Sequence, residues 1–201
     1  MKYILISFIC LFNVFISNAQ NTDIEWLRKI NIGRDKDLDA TFSSLSNSVV
    51  PISAAYPLAL VGLGLATKNK ELRYKGYIAG AGLALNLAAT AAIKYSVQKP
   101  RPYASYPDLD NTTSEPDPSF PSGHSSTAFY TATSLSLSFP KWYIIAPSFL
   151  WAGASAYSRM HAGVHYPSDV AAGIILGAGT AYLSHKINKW YWKKVNGKAA
   201  K

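Results

Sequence analysis

The sequence predicts an all-α protein: a helical bundle of about five core helices that span a membrane, with an N-terminal amphipathic helix. Three observations carry this. Five stretches free of charged residues follow one another, Val49 to Thr67, Tyr77 to Ile93, Ser125 to Phe139, Trp142 to Tyr157 and Val170 to Ser184. Only 15% of residues are charged, against about 25% in an average soluble chain. The charges are also sorted. If the five stretches cross alternately, one side holds eleven lysines and arginines (at 68, 70, 73, 75, 141 and from 186 onward) with Glu71 as its one acid, while the other holds eight basic residues and ten acids. The positive-inside rule assigns such an excess to a cytoplasmic side. A soluble bundle, the competing reading, has no physical reason to sort charge in this way.

Each segment has its own signature. Residues 1–19 read as a secretory signal, with Lys2 at the start, an apolar run from Tyr3 to Ile16, and Ser17-Asn18-Ala19 before a cut ahead of Gln20. An uncleaved first membrane helix is the alternative. The one cysteine, Cys10, lies in this run, so the processed chain has no disulfide, thiolate nucleophile or cysteine-bound zinc. Residues 20–47 alternate charges with Ile24, Trp26, Leu27, Ile30, Leu38, Phe42 and Leu45, the pattern of an amphipathic helix along a membrane surface. Within it, Asp35-Lys36-Asp37-Leu38-Asp39 has the spacing of a calcium loop, but Ala40 and Ser46 occupy its glycine and closing glutamate positions. These acids read as a solvated face or a helix start.

Residues 48–186 form the bundle domain. Its first two apolar stretches approach the ~20 residues needed to cross a bilayer; the others are shorter, and the third is rich in Ser and Thr. Pro100 to Pro121 is a proline-rich connection of a length usually reserved for function. Its acids Asp108, Asp110, Glu115 and Asp117 offer a cation site in the loop, but the favoured reading is solvated turn residues. Residues 187–201 are a basic tail, where Trp190-Tyr191-Trp192-Lys193-Lys194 suits an interfacial anchor. The net charge of +9 suits anionic lipid, phosphorylated substrates or nucleic acid.

Three short clusters stand at the ends of the apolar stretches, all on the acid-bearing side. Lys94 and Arg101-Pro102 are seven residues apart and bring two permanent cations toward one anion; alone, such a pair is usually a polar helix cap. Pro121-Ser122-Gly123-His124 opens the third stretch. Free N–H groups and the helix dipole make such a start an anion site, Gly123 permits close backbone approach, and His124 is placed to donate a proton. The plainer reading makes Ser122 a helix cap. Ser158-Arg159, His165 and Asp169 form the third cluster. Pro167 suits the first turn of a new helix, with Asp169 inside it to fix the tautomer of His165 and leave the other ring nitrogen free to attack phosphorus. Arg159 adds a planar donor fork for phosphate oxygens. His161 and His165 have the spacing of a helical zinc pair, yet Gly163 and Pro167 interrupt the helix this would need.

The pattern K-x6-R-P, then P-S-G-H, then S-R-x5-H-x3-D resembles that of the type 2 phosphatidic acid phosphatase and vanadium haloperoxidase superfamily, complete here from Lys94 to Asp169. The resemblance implies His165 as nucleophile, Asp169 as its orienting partner and His124 as general acid. It implies Lys94, Arg101 and Arg159, with Ser122 and the Gly123 amide, as the phosphate cradle, and no metal or other cofactor. The expected partners are a phosphorylated lipid (phosphatidate, phosphatidylglycerol phosphate, polyprenyl diphosphate or lipid A) and the membrane, not nucleic acid. The expected location is the bacterial inner membrane with the site facing the periplasm. A soluble periplasmic acid phosphatase, a vanadium haloperoxidase and a non-enzymatic lipid-binding protein are the competing readings.

Overall fold

The computed structural model describes residues 22–199, with side chains to Trp190. The secretory segment read over residues 1–19, and the side chains of the anchor cluster beyond Trp190, lie outside this range. Every regular element among the described residues is helical. Helix α1 spans 22–31, and after a single 3₁₀ turn come α2 (Asp39–Asn47), α3 (Val49–Ala66), α4 (Lys70–Val97), the short α5 (Pro102–Ser105), α6 (Gly123–Ser138), α7 (Trp142–His161) and α8 (Pro167–Ala199). The five apolar stretches are α3, α4, α6, α7 and α8. The basic tail continues α8 as helix rather than forming a separate segment.

Helix ends follow local chemistry. Asn69 caps α4 by accepting from the Leu72 N–H at 3.0 Å, and α4 ends at Gln98 in the left-handed conformation. Ser122 caps α6. Arg159 and His161 sit in the last turn of α7, where cations oppose the helix dipole. Gly163, at φ +72°, then turns the chain toward α8. A side chain there would be strained, and its Cβ would lie 2.9 Å from Asn31 Nδ2.

The bundle is apolar outside and polar within. Leu58, Leu150 and Ile175 are each at least 70% exposed, whereas Ser53, Asn86, Thr90, Ser125, Ser126, Thr131 and Ser155 are buried. In water this would waste the hydrophobic effect; in lipid it is the expected arrangement, because small and polar side chains join helices there. Ser126 donates to Asn86 Oδ1 at 2.8 Å and Thr180 donates to the same atom at 2.9 Å, tying α4, α6 and α8 together. Thr131 donates to Ser53 Oγ at 2.8 Å, tying α6 to α3. Helices α3 and α4 lie in the two segments long and apolar enough to cross a membrane.

The closest seam joins α6 and α8. A Cβ on Gly177 would fall 2.0 Å from the Ser126 carbonyl oxygen, and one on Gly173 would fall 2.5 Å from that of Ser122. Gly173-x3-Gly177 is thus a backbone-to-backbone contact of the kind two glycines four apart permit. It brings the α6 start to the α8 start, where the Ser122 N–H donates to the Asp169 carbonyl at 3.0 Å.

The amphipathic segment forms as α1 and α2. Its inward face, Ile24 and Leu27, packs on Leu109 and Tyr166, so it covers the proline-rich connection; Trp26, Ile32 and Leu38 stay exposed. Buried Asn31 staples the layers together, donating to the Asp110 and His161 carbonyls at 2.9 Å each and accepting from the Asp110 N–H. The acids of residues 35–39 serve helix starts, as expected: Asp35 caps the 3₁₀ turn and Asp39 opens α2.

Candidate active site

Each sequence cluster arrives on a different element. Lys94 comes from the last turn of α4, Arg101 caps α5, His124 stands in the first turn of α6, and Arg159 lies in the last turn of α7. His165 lies in the turn before α8, and Asp169 in the first turn of α8. Lys94, Arg101, Arg159, His165 and Asp169 are all buried. They gather at the end of the bundle opposite the basic one, where Lys75 lies 4.9 Å over the Phe139 ring.

The His165 ring is held from both nitrogens. Arg101 Nη1 lies 3.2 Å from Nε2. A guanidinium can only donate, so Nε2 carries the lone pair and Nδ1 the proton. On the far side Asp169 Oδ2 is 3.6 Å from Nδ1, too long for the direct hydrogen bond the sequence leads one to expect. Ser119 bridges the gap: its hydroxyl lies 3.3 Å from Nδ1 and donates to Asp169 Oδ2 at 2.5 Å. Lys99 Nζ meets the other carboxylate oxygen at 2.7 Å, and Asp169 also accepts the Tyr166 N–H at 3.0 Å. Burial, reinforced by Arg101 and Arg159 against the pull of Asp169, lowers the His165 pKa to about 4. The imidazole is therefore neutral at physiological pH.

The cations already hold an anion, and it belongs to the protein. Arg101 Nη2 lies 2.6 Å from Glu115 Oε2, while Arg159 Nη2 pairs with Glu115 Oε1. Glu115 Oε2 is 4.0 Å from His165 Nε2. Asp117 links Arg101, at 2.6 Å, to the remaining cation, Lys94, at 2.8 Å. Burial alone would raise the Glu115 pKa, but Arg159 and Arg101 outweigh it and hold the carboxyl below its ordinary range. Asp117 behaves likewise through Lys94 and Arg101. The sequence reading of these two acids as solvated turn residues is corrected: both are cradle ligands. Asp108 and Asp110 are instead partners of Arg28, Arg34 and Lys36 near the surface.

Ser122, fully buried, accepts from the Ser125 N–H and hydroxyl, so the cap role is the one displayed. Gly123 leaves open the space beside Lys94 Cε, 3.9 Å from where its Cβ would be. His161 is held by Asp39 Oδ1 at 2.7 Å and stands against the Phe42 ring, away from His165. Site residues that the sequence did not mark are Ser119, Lys99 and Ser46, whose hydroxyl accepts from Arg159 Nη1 at 2.5 Å.

Two cavities meet at Glu115 and His124. One, of about 520 Å³, is polar and roofed by α2. The other, of about 440 Å³, runs between α3 and α4 past Val49, Val50 and Leu87, and reaches His165.

The model of the PAP2 superfamily matches residues 75–193, more than half of the chain. The chain belongs to the PAP2 superfamily. It is 42% identical over 76 residues to an undecaprenyl-diphosphatase of Sulfolobus acidocaldarius, covering 36% of each chain. It is 37% identical over 68 residues to a lipid A 4'-phosphatase of Bacteroides thetaiotaomicron, covering 34% of this chain and 30% of that one. The matches thus span about a third of these relatives' lengths. Over the whole bundle it resembles the crystal structure of LpxE from Aquifex aeolicus, with a TM-score of 0.69 at 28% identity, covering 82% of this chain and 95% of that one. The polar-cored, apolar-coated PAP2 bundle makes this a membrane protein.

Proposed function

We propose that this PAP2 protein is a metal-independent phosphatase that hydrolyses phosphate esters of membrane lipids through a phosphohistidine on His165, at the periplasmic face of a bacterial inner membrane. The observation that carries the proposal is the occupied cradle: a carboxylate is held by Arg101 and Arg159 within 4.0 Å of a neutral, buried imidazole nitrogen. An anion that replaces it lies beside that nitrogen.

In this reading a phosphoryl group displaces Glu115 and takes the donors of Lys94, Arg101 and Arg159. As the Arg101 fork moves onto phosphate oxygens, it leaves Nε2 free. That lone pair forms the N–P bond while the P–O bond to the lipid breaks. His124, whose pKa burial and Arg159 lower to about 4 in the resting site, takes up a proton as the substrate's negative charge arrives and gives it to the leaving alkoxide, a contribution of about 10²–10⁴ in rate. Positive charge on the ring is balanced by Asp169, through Ser119, with Lys99 holding the carboxylate in place. Water, losing a proton to His124, then attacks phosphorus and releases phosphate. Fixed cations stabilise the equatorial oxygens, as phosphoryl transfer requires.

The cavity between α3 and α4 supports a lipid substrate, since its apolar walls lead from the bundle exterior to His165. The same apolar exterior disfavours the soluble alternative. The basic end supports a cytoplasmic assignment there and a periplasmic one for the site. The test is phosphate release by detergent-purified protein. His165→Ala should release none, orthovanadate should inhibit the wild type, and EDTA should not. Wild-type release by the alanine variant, or loss of activity on chelation, overturns the mechanism.

A further inference from the structure

Hydrolysis at His165 occupies the acid-bearing end of the bundle, and the basic end carries a site of its own. Two further cavities adjoin there among α4, α6 and α8. One, of about 90 Å³, is lined by Lys75, Ser138, His185 and Asn188. The other, of about 310 Å³, is a groove beside Leu85, Ile187 and Trp190, all exposed on the outer surface of the bundle. Ile78, Ser184 and Asn188 border both. Together they form one amphiphile-shaped site. The polar part has room for about three water-sized groups at ~30 Å³ each, enough for a head group and too small for an acyl chain. The groove takes the apolar part.

The lining defines the ligand. Lys75 pairs with Glu71 one turn earlier at 2.9 Å, but that carboxylate is 78% exposed. An exposed pair of this kind contributes little, so the ammonium can take a second anion. Glu71 is also the one acid on this side, against eleven lysines and arginines, and a basic membrane-proximal surface attracts anionic head groups. Asn188 Oδ1 is buried and has no hydrogen-bond partner among the described residues. A buried acceptor in that state is costly, and a ligand hydroxyl satisfies it. Three properties are therefore wanted in one molecule: an anion, a hydroxyl and an acyl chain. A phosphate diester between diacylglycerol and a polyol carries all three. A choline head group brings no donor, and an ethanolamine head group brings an ammonium to face Lys75.

We infer that the basic end of α4 and α8 binds an anionic phosphodiester lipid of the cytoplasmic leaflet, held as a ligand and not cleaved. The leaflet follows from the orientation proposed above, while the site itself does not depend on the reaction. The bound phosphate lies at the end of the bundle opposite His165 and offers no monoester to the cradle. It meets Lys75, the polyol meets Asn188, and a chain lies in the groove against Leu85 and Ile187. Both helices joined in this way carry active-site residues at their other ends, Lys94 on α4 and Asp169 on α8. Bound lipid thus steadies the frame that holds the cradle.

The experiment follows thermal unfolding of the full chain in a neutral detergent as phosphatidylglycerol, phosphatidylcholine or glycerophosphoglycerol is added. Phosphatidylglycerol should raise Tm saturably, by about 5 °C or more at about a hundredfold excess over its half-maximal concentration, with the lipid recovered intact. Phosphatidylcholine and the chain-free head group should each raise it far less. Lys75→Gln and Asn188→Leu should each increase the half-maximal concentration about tenfold. Lys70→Gln, at an exposed lysine of α4 outside both cavities, should leave it unchanged. The site is overturned by no shift with phosphatidylglycerol, by its cleavage, or by an equal shift with either comparison compound. An unchanged half-maximal concentration in either site variant, or an equal increase in Lys70→Gln, overturns it as well.

Discussion

Replacing Glu115 with glutamine tests whether the protein's own carboxylate competes with substrate. The side chain keeps its size but loses its charge. Glu115 makes contacts with Arg101 and Arg159, and hydrogen bonds to charged groups are worth about 1.5–3 kcal/mol each, against about 0.5–1.5 for neutral ones. Two such differences come to roughly 2–3 kcal/mol. The side chain is 21% exposed, so screening trims this to about 1.5–2 kcal/mol. At 1.4 kcal/mol per tenfold, orthovanadate should bind Glu115→Gln about 10- to 30-fold more tightly than wild type. The assay is the inhibition constant of orthovanadate against hydrolysis of p-nitrophenyl phosphate, whose KM should fall in parallel. An unchanged or weaker inhibition constant would refute the reasoning, since the carboxylate would then be assisting the incoming anion rather than opposing it.

Other consequences are as direct. His165 has a pKa lowered to about 4 by burial, so an NMR titration of its ring, identified by loss of the signal in His165→Ala, should show no protonation until pH approaches 4. A midpoint near the ordinary ~6.5 would contradict the buried, neutral ring. Because the unfolded chain takes up this proton first, His165 should make the fold less stable as pH falls from about 6.5 toward 4 and more stable as it rises. Gly177→Leu forces a side chain onto the Ser126 carbonyl and should cost about 1–3 kcal/mol or more. A thermal melt in detergent matching wild type would show that α6 and α8 do not touch there.

The fold was legible because charge-free runs and turn residues declare helices regardless of their neighbours. The motif residues were legible too, because Lys94, Arg101, His124, Arg159, His165 and Asp169 carry fixed spacings. What escaped depends on tertiary placement. Glu115 is 44 residues from Arg159, and an acid among prolines and serines has the same local signature whether it is solvated or held between two guanidiniums. Ser119 could be assigned only once the 3.6 Å gap between His165 and Asp169 was seen. The α1–α2 segment shows an apolar stripe, but a stripe does not say whether its partner is lipid or protein; Leu109 and Tyr166 take it. One signal was available and unread: Gly173 and Gly177, four apart in an apolar run, mark the α6–α8 seam.

Asp23, next to the start of the described chain, accepts the Ser168 N–H at 2.9 Å and the Ser168 hydroxyl at 2.5 Å, and lies 3.5 Å from the same Lys99 amine that holds Asp169. Helix α1 is therefore fastened to α8. During synthesis the clasp of Asp23, Lys99 and Asp169 closes only when α8 emerges, so a product cut short before that helix lacks the Asp169 carboxylate beside His165. A bulky tag fused just ahead of Asp23 would crowd that clasp, which makes the carboxyl end of α8 the safer place to attach one.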